Sequence, residues 1–373
     1  QPGAPAHERA TQLWCLVRAL GHAAVNATLT NLFDLSREDL EHLVQQWGEP
    51  AYRAKQIWGW AYRQLVDRFD SMTNLPASLR RRLTAELTLT PAEAVASQVD
   101  RSSATRKDLL RLQDGETLET VLMRERHGHA VCLSIQVGCP MDCTFCATGR
   151  IGLRRNLSAG EIVYQVVHFS RHFGRQDPPA RVSNVVYMGM GEPLLNYQAT
   201  VDSIARLADP AALAISPRHI TVSTAGLPEG IRALAREPFA VRLAVSLHAA
   251  DDERRRQLMP VAGRIPLQEL MAACQEFARQ DRQRITFEYV LIEGVNASYR
   301  DAKKLVSLVA PLGAHVNLIP LNPVEGSAYR APSLQAIEDF RSVLVGARIP
   351  CTVRRSRGVR IQAGCGQLKG RSD

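Results

Sequence analysis

The chain has 373 residues, 45% hydrophobic and 22% charged, a balance that supports a large buried core and excludes an intrinsically disordered chain. No uninterrupted apolar run approaches the ~20 residues that cross a bilayer, so no transmembrane helix is expected. The net charge of +9, from 46 basic against 37 acidic residues, favours a polyanionic partner, nucleic acid first, and is also compatible with a basic enzyme that has none.

Residues 1–32 read as a leader without a core pattern, expected to be poorly ordered. The leader lacks the basic start and long apolar stretch of a secretory signal, and Glu8 with the absence of serine argues against a mitochondrial presequence. Without a secretion signal, the eight cysteines read as thiols of a reducing cytosol rather than disulfides, and a cytoplasmic location is expected. Residues 33–92 are predicted to form a small helical module. Ser36 caps a helix with Asp39 three residues on, and WGEPAYRAKQIWGWAYRQLV and LPASLRRRLTAEL continue the helical spacing. There Tyr52, Arg53, Lys55, Trp58, Trp60, Tyr62 and Arg63 interleave basic and aromatic side chains. Such a set serves equally as an RNA-stacking platform or as an amphipathic helix with its aromatics in the core. Residues 93–126 alternate about the turn Asp114-Gly115 and predict a β-hairpin linker.

From residue 127 to 373 six strand-like runs alternate with amphipathic stretches: VCLSIQVG, SNVVYMGMG, HITVSTAG, VRLAVSLH, ITFEYVLI and HVNLIPLN. Repeated βα units imply a parallel sheet, with six units against the eight of a complete barrel. Glycine and short polar residues fall at the strand ends: Gly189, Gly191 and Glu192; Ser223; Ser246 and His248; Asn322. Carboxyl ends of parallel strands are where such folds build their sites.

Within QVGCPMDCTFCATG, Cys139, Cys143 and Cys146 are separated by three and then two residues. A structural zinc site normally closes with four ligands, and no fourth stands at ligand spacing, His127 and His129 lying across a strand. A cubane iron–sulfur cluster on three thiolates leaves one iron open to a substrate. Three incidental core cysteines within eight residues, flanked by Gly138, Pro140 and Asp142, are the poorer reading.

CPMDCTFC resembles the signature of radical S-adenosylmethionine enzymes. With WGEPAYRAKQI, LETV, VVYMGMGEPLLN, ITVSTAG, AVSLHA, NLIPLNP and AGCGQL, the chain from about Phe33 to Leu368 resembles the RNA adenine C2-methyltransferases of the RlmN/Cfr family. The resemblance implies a partial (β/α)6 TIM-like barrel of the radical SAM type behind a small N-terminal helical domain. It implies a [4Fe-4S] cluster on Cys139, Cys143 and Cys146, and S-adenosylmethionine, two per turnover, held by Gly191, Glu192, Ser223, Ser246, Leu247, His248 and Asn322. It also implies that Cys365 carries the methyl group as S-methylcysteine and that Cys132 resolves the RNA adduct through a transient disulfide. Glu119, in LETV, matches the family's proton acceptor, a role that Cys132 is also able to fill.

The implied substrates are an adenosine in the peptidyl-transferase centre of 23S rRNA and the adenosine just 3′ of certain tRNA anticodons. The resemblance also implies a low-potential electron donor such as flavodoxin or ferredoxin. A monomer without membrane association is expected. Two cysteines beyond the cluster make chemical sense, because C2 of adenine lies between two ring nitrogens and resists attack on a methyl sulfonium, whereas a carbon radical adds to it. The alternatives are C8 methylation of the Cfr type, against which GMGEPLLN leans, and a zinc-stabilised RNA-binding module without catalysis. The clusters Arg80 to Arg82, Arg150 with Arg154 and Arg155, Arg254 to Arg256, and Arg354, Arg355 and Arg357 are expected in part to contact phosphate.

Overall fold

A ten-stranded sheet organises the chain in the computed structural model, which describes residues 29–125, 128–173, 181–281, 285–354 and 356–370. Most of the predicted leader (with Cys15), His127 and Arg355 lie outside the described residues.

The N-terminal module runs from β1 (Thr30–Asn31) through α1 (Arg37–Gln46), α2 (Tyr52–Tyr62) and α3 (Ala77–Glu86) to β2 (Leu87–Thr88). The parallel pairing of β1 with β2 brings its two ends together. At the start of α1, the Asp39 amide donates to Ser36 Oγ at 3.0 Å and the Ser36 amide to Asp39 Oδ2 at 2.9 Å, a complete capping box built with the shorter acid. On α2, Trp58 and Tyr62 share a helix face with Ala54, Ile57 and Ala61, and all five are buried. The two rings pack 4.5 Å apart, and Tyr62 meets Phe33 edge-on at 5.2 Å. These aromatics are therefore core, because their spacing of four places them on the face that packs inward. The other side of α2, with Tyr52 and Lys55, faces solvent.

Next come β3 (Ala92–Asp100), β4 (Thr105–Leu112) and β5 (Thr117–Glu125), followed by β6 (Gly128–Cys132). The hairpin predicted at Asp114-Gly115 is β4–β5. It continues the main sheet, since β5 pairs antiparallel with β6, Val121 opposite Cys132. The run VCLSIQVG breaks in two, for β6 ends at Cys132 and β7 (Gln136–Gly138) turns off to pair with β8 (Leu153–Asn156).

Then follow α4 (Ala159–Phe173), β9 (Val182–Tyr187), α5 (Tyr197–Ala208), β10 (Ile220–Thr224), α6 (Pro228–Ala235) and β11 (Arg242–Ser246). The chain continues through α7 (Asp252–Leu258), α8 (Leu267–Asp281), β12 (Thr286–Leu291), α9 (Tyr299–Val309), β13 (His315–Pro320), α10 (Leu334–Gly346) and β14 (Cys351–Val353). The sheet order is β14-β13-β12-β11-β10-β9-β6-β5-β4-β3, parallel from β6 to β14. This is the expected partial (β/α)6 barrel, with a seventh strand, β14, too short to be legible beside its arginines. Buried Val185, Val222, Val245, Phe287 and Leu318 form its core, and all parallel strands present their carboxyl ends at one rim.

The helical module is keyed onto the barrel at the first turn of α4. Asp34 accepts hydrogen bonds from the Gly160 amide at 2.6 Å and from Ser158 Oγ at 3.0 Å. A Cβ at Gly160 would lie 2.5 Å from the Asp34 nitrogen and 2.7 Å from the Phe33 carbonyl carbon, so the two backbones touch. Gly160→Ala is accordingly expected to destabilise the protein by about 1–3 kcal/mol, the range for overpacking against backbone that cannot yield. Unchanged thermal unfolding in the variant would show that this contact does not hold the module.

Candidate active site

One cavity opens at the carboxyl ends of the parallel strands, and Cys139, Cys143 and Cys146 all line it. Asp142 takes a left-handed conformation, φ +51°, which bends the chain between the first two of them. The Cys139 amide donates to the Gly152 carbonyl at 2.9 Å, and the Thr144 amide to the Leu258 carbonyl at 3.0 Å, so the turn just before β8 and the end of α7 hold the loop. Burial, reinforced by the neighbouring sulfurs, pushes the Cys139 and Cys143 thiols well up, so a cationic centre is needed to ionise them together.

The donor set fits a cubane. Three thiols of one loop line the same cavity, one short of the four ligands that close a structural zinc site and equal to the three that a cubane takes while leaving one iron open.

Beside the cysteines stands the end of β9. Gly191 has φ +101°, and a Cβ there would lie 2.6 Å from Gln136 Cβ, so only glycine brings this turn against β7. The turn delivers Glu192 into the cavity wall, buried, with Oε1 accepting from the Leu194 amide at 3.0 Å and Oε2 from the Ala225 amide at 2.6 Å. Burial outweighs these bonds and holds its carboxyl up at about 7. Such an acid gains from a cationic partner, and the ammonium group of S-adenosylmethionine is one.

Ser223, Ser246 and Asn322, at the ends of β10, β11 and β13, line the same cavity. His248 lines it too; its Nδ1 accepts from the Val290 amide at 3.0 Å, and burial lowers it to about 3, leaving a neutral imidazole. Leu247 is the exception. Its side chain is fully buried and does not line the cavity, and its amide donates to the Glu288 carbonyl at 3.0 Å.

Cys132, at the end of β6, and Cys365, in the C-terminal segment, complete the wall. Burial and the nearby Cys365 sulfur push the Cys132 thiol up to about 12. The segment carrying Cys365 is pinned by Asn322 Nδ2 donating to the Cys365 carbonyl at 3.0 Å and the Ala147 amide donating to the Gly366 carbonyl at 2.7 Å. Residues 226 positions apart at Cys139 and Cys365 thus share one chamber.

Glu119 lies apart. On β5 it shares a face with Val121 and Met123, which line the main cavity. Its carboxylate, however, lines a neighbouring recess with Lys107 and Lys369.

Two wall residues escaped the sequence reading. Glu288 on β12 is buried, with Oε1 accepting from Asn317 Nδ2 at 3.0 Å and Oε2 without a hydrogen-bond partner. Arg354 Nη1 lies 3.9 Å from that oxygen. An acid inside the apolar run ITFEYVLI was the available signal for Glu288; Arg354 was grouped with the phosphate contacts. Arg255 also leaves that group. It is fully buried, and its guanidinium donates to the carbonyls of Ala262 at 2.7 Å and Ala225 at 2.6 Å, so it fastens loops around the chamber. Arg155 is engaged by Asp114 and Glu161, Arg154 by Glu116, and Arg357 by Glu125.

A partial (β/α)6 barrel with three cluster-spaced cysteines and a buried acid at the strand ends defines a radical S-adenosylmethionine enzyme, and residues 133–306 match the radical SAM superfamily. Residues 30–89 match the ribosomal RNA large subunit methyltransferase N-terminal domain. A probable dual-specificity RNA methyltransferase RlmN from Symbiobacterium thermophilum is 47% identical over 339 residues, 91% of each chain. Dual-specificity RNA methyltransferase RlmN 1 from Myxococcus xanthus is 44% identical, covering 92% of this chain and 95% of its own. The crystal structure of a radical SAM methyltransferase from Sphaerobacter thermophilus superposes with a TM-score of 0.89 at 47% identity, over 92% of this chain and 100% of that one. The chain belongs to the RlmN family of radical SAM RNA methyltransferases.

Proposed function

We propose that this enzyme methylates C2 of adenine in 23S rRNA and in tRNA, through an S-methylcysteine at Cys365 that Cys132 resolves. The observation that carries the reading is that Cys132 and Cys365 line the same chamber as Cys139, Cys143 and Cys146. The dual specificity in the names of its relatives supports two RNA substrates.

In this reading Cys139, Cys143 and Cys146 hold the [4Fe-4S] cluster, and Gly191, Glu192, Ser223, Ser246, His248 and Asn322 hold S-adenosylmethionine. Leu247 contributes backbone only. Together the bound groups supply a 5′-deoxyadenosyl radical, given one electron from a low-potential donor such as flavodoxin or ferredoxin. Cys365 Sγ would take a methyl group from one S-adenosylmethionine as its own proton leaves, and that methyl group would give a hydrogen atom to the 5′-deoxyadenosyl radical derived from the second, so that Cys365 presents a methylene radical that adds to C2. The C2 proton passes to Cys132 or to Glu119, and the electron released as the ring regains aromaticity would pass to the one-electron acceptor that the oxidised cluster would supply, leaving the Cys365 carbon bonded to C2. The Cys132 thiolate then attacks Cys365 Sγ, the S–S bond forms as the C–S bond breaks, and the released carbon takes a proton to become the methyl group. Two S-adenosylmethionine molecules are consumed per turnover. The target adenine must leave its stack to reach this chamber.

Among the described residues no helix is long and apolar enough to cross a membrane. We assign the enzyme to the cytoplasm, acting as a monomer. Nucleoside mass spectrometry of rRNA and tRNA from cells with and without the gene tests the reading. Loss of 2-methyladenosine from both RNAs supports it, and loss of 8-methyladenosine would move the assignment to C8.

Glu192→Ala is expected to weaken S-adenosylmethionine binding by roughly 10- to 100-fold while the iron content stays full, since a hydrogen bond to a charged group contributes about 1.5–3 kcal/mol. Equal affinity by calorimetry on cluster-loaded protein would remove Glu192 from the cofactor site.

A further inference from the structure

The recess beside the main chamber contains a buried ion pair whose partners hold both ends of the segment that carries Cys365. Lys107 on β4 and Glu119 on β5 stand diagonally across the strand pair, Leu109 being opposite Glu119. Lys107 Nζ lies 2.7 Å from Glu119 Oε1, with the two side chains only 8% and 7% exposed. Each also reaches the C-terminal segment. Lys107 Nζ donates to the Gln362 carbonyl at 3.3 Å, and the Lys369 amide donates to Glu119 Oε2 at 2.7 Å.

Those anchor points bracket Cys365, three residues after the first and four before the second. Gln362 itself adopts a left-handed conformation, φ +52°, uncommon for a residue with a side chain and in need of external restraint. A buried ion pair seldom stabilises a fold more than apolar residues of the same size would. Its worth here lies in position: the charges aim a carbonyl acceptor and an amide donor, which apolar side chains cannot do.

We propose that the Lys107–Glu119 ion pair is a latch that sets the Cys365 segment against the chamber, making Lys107 a positioning residue for methyl transfer. The inference rests on the reading of Cys365 as methyl carrier. On this view Glu119 fixes the segment whichever group takes the C2 proton, and Lys107 acts with it.

The test replaces the pair by apolar residues of similar size, Lys107→Met with Glu119→Leu, in the cluster-loaded enzyme. Amide hydrogen exchange across residues 362–369 is expected to rise roughly tenfold, the loss of about one net hydrogen bond, while β9 to β13 exchange as before. Iron content and S-adenosylmethionine affinity should be retained, and RNA methylation should fall at least as far as the exchange rises. Should the double variant fail to fold, Glu119→Gln keeps the shape of the acid and removes its charge, and the same local rise in exchange is expected. Unaltered exchange in the segment of a folded variant overturns the latch, whatever its activity. Full RNA methylation by Cys365→Ala, by contrast, would overturn the reading of Cys365 and leave the exchange result standing on its own.

Discussion

Cys365→Ala is expected to abolish RNA methylation and to yield no covalent protein–RNA species, whereas Cys132→Ala should lose turnover while accumulating one. The two thiols share a chamber and differ in setting. Cys365 is exposed on a segment held by backbone hydrogen bonds, and Cys132 ends a central strand with its thiol pushed up to about 12. Without Cys365 there is no sulfur to carry the methyl group, so no adduct forms. Without Cys132 the methyl group loads and adds, but no thiolate attacks the carrier sulfur, and the RNA stays attached. After incubation with reductant and S-adenosylmethionine, only the Cys132 variant should retain RNA on a denaturing gel. Equal absence of crosslinked RNA from both variants would refute the division of labour.

Replacing any one of Cys139, Cys143 or Cys146 with Ala is expected to remove the cluster and, with it, all S-adenosylmethionine cleavage. Each is the sole candidate thiolate for its iron in this loop, and burial disfavours the remaining thiolates once the compensating metal charge is gone. The purified wild-type protein should be brown, with broad visible absorption, and each variant colourless. A variant that retains full iron and sulfide would show that its cysteine is not a ligand. Cys274, fully buried and absent from the chamber wall, provides the control whose replacement leaves iron content unchanged.

The amino-acid sequence by itself determined the local chemistry. Three thiols in eight residues, an acid after a glycine turn, and polar residues ending successive strands were all legible, because strand periodicity and loop spacing are properties of neighbouring residues. So was the barrel class, since alternating β and α runs admit few arrangements. Tertiary structure decided what depends on distant partners. Trp58 and Tyr62 proved to be core because Phe33 packs on Tyr62 and Tyr62 on Trp58, and Arg255 proved to be a buried fastener because the Ala225 and Ala262 carbonyls converge on it. Strands β3 to β5 joined the main sheet through pairing with β6, which no local pattern encodes. Glu119 belongs to a latch with Lys107 and the Lys369 amide, a contact spanning 250 positions. Such roles are fixed by which surfaces meet once the core closes, and burial, the term that makes a charge either a partner or a penalty, exists only in the folded chain.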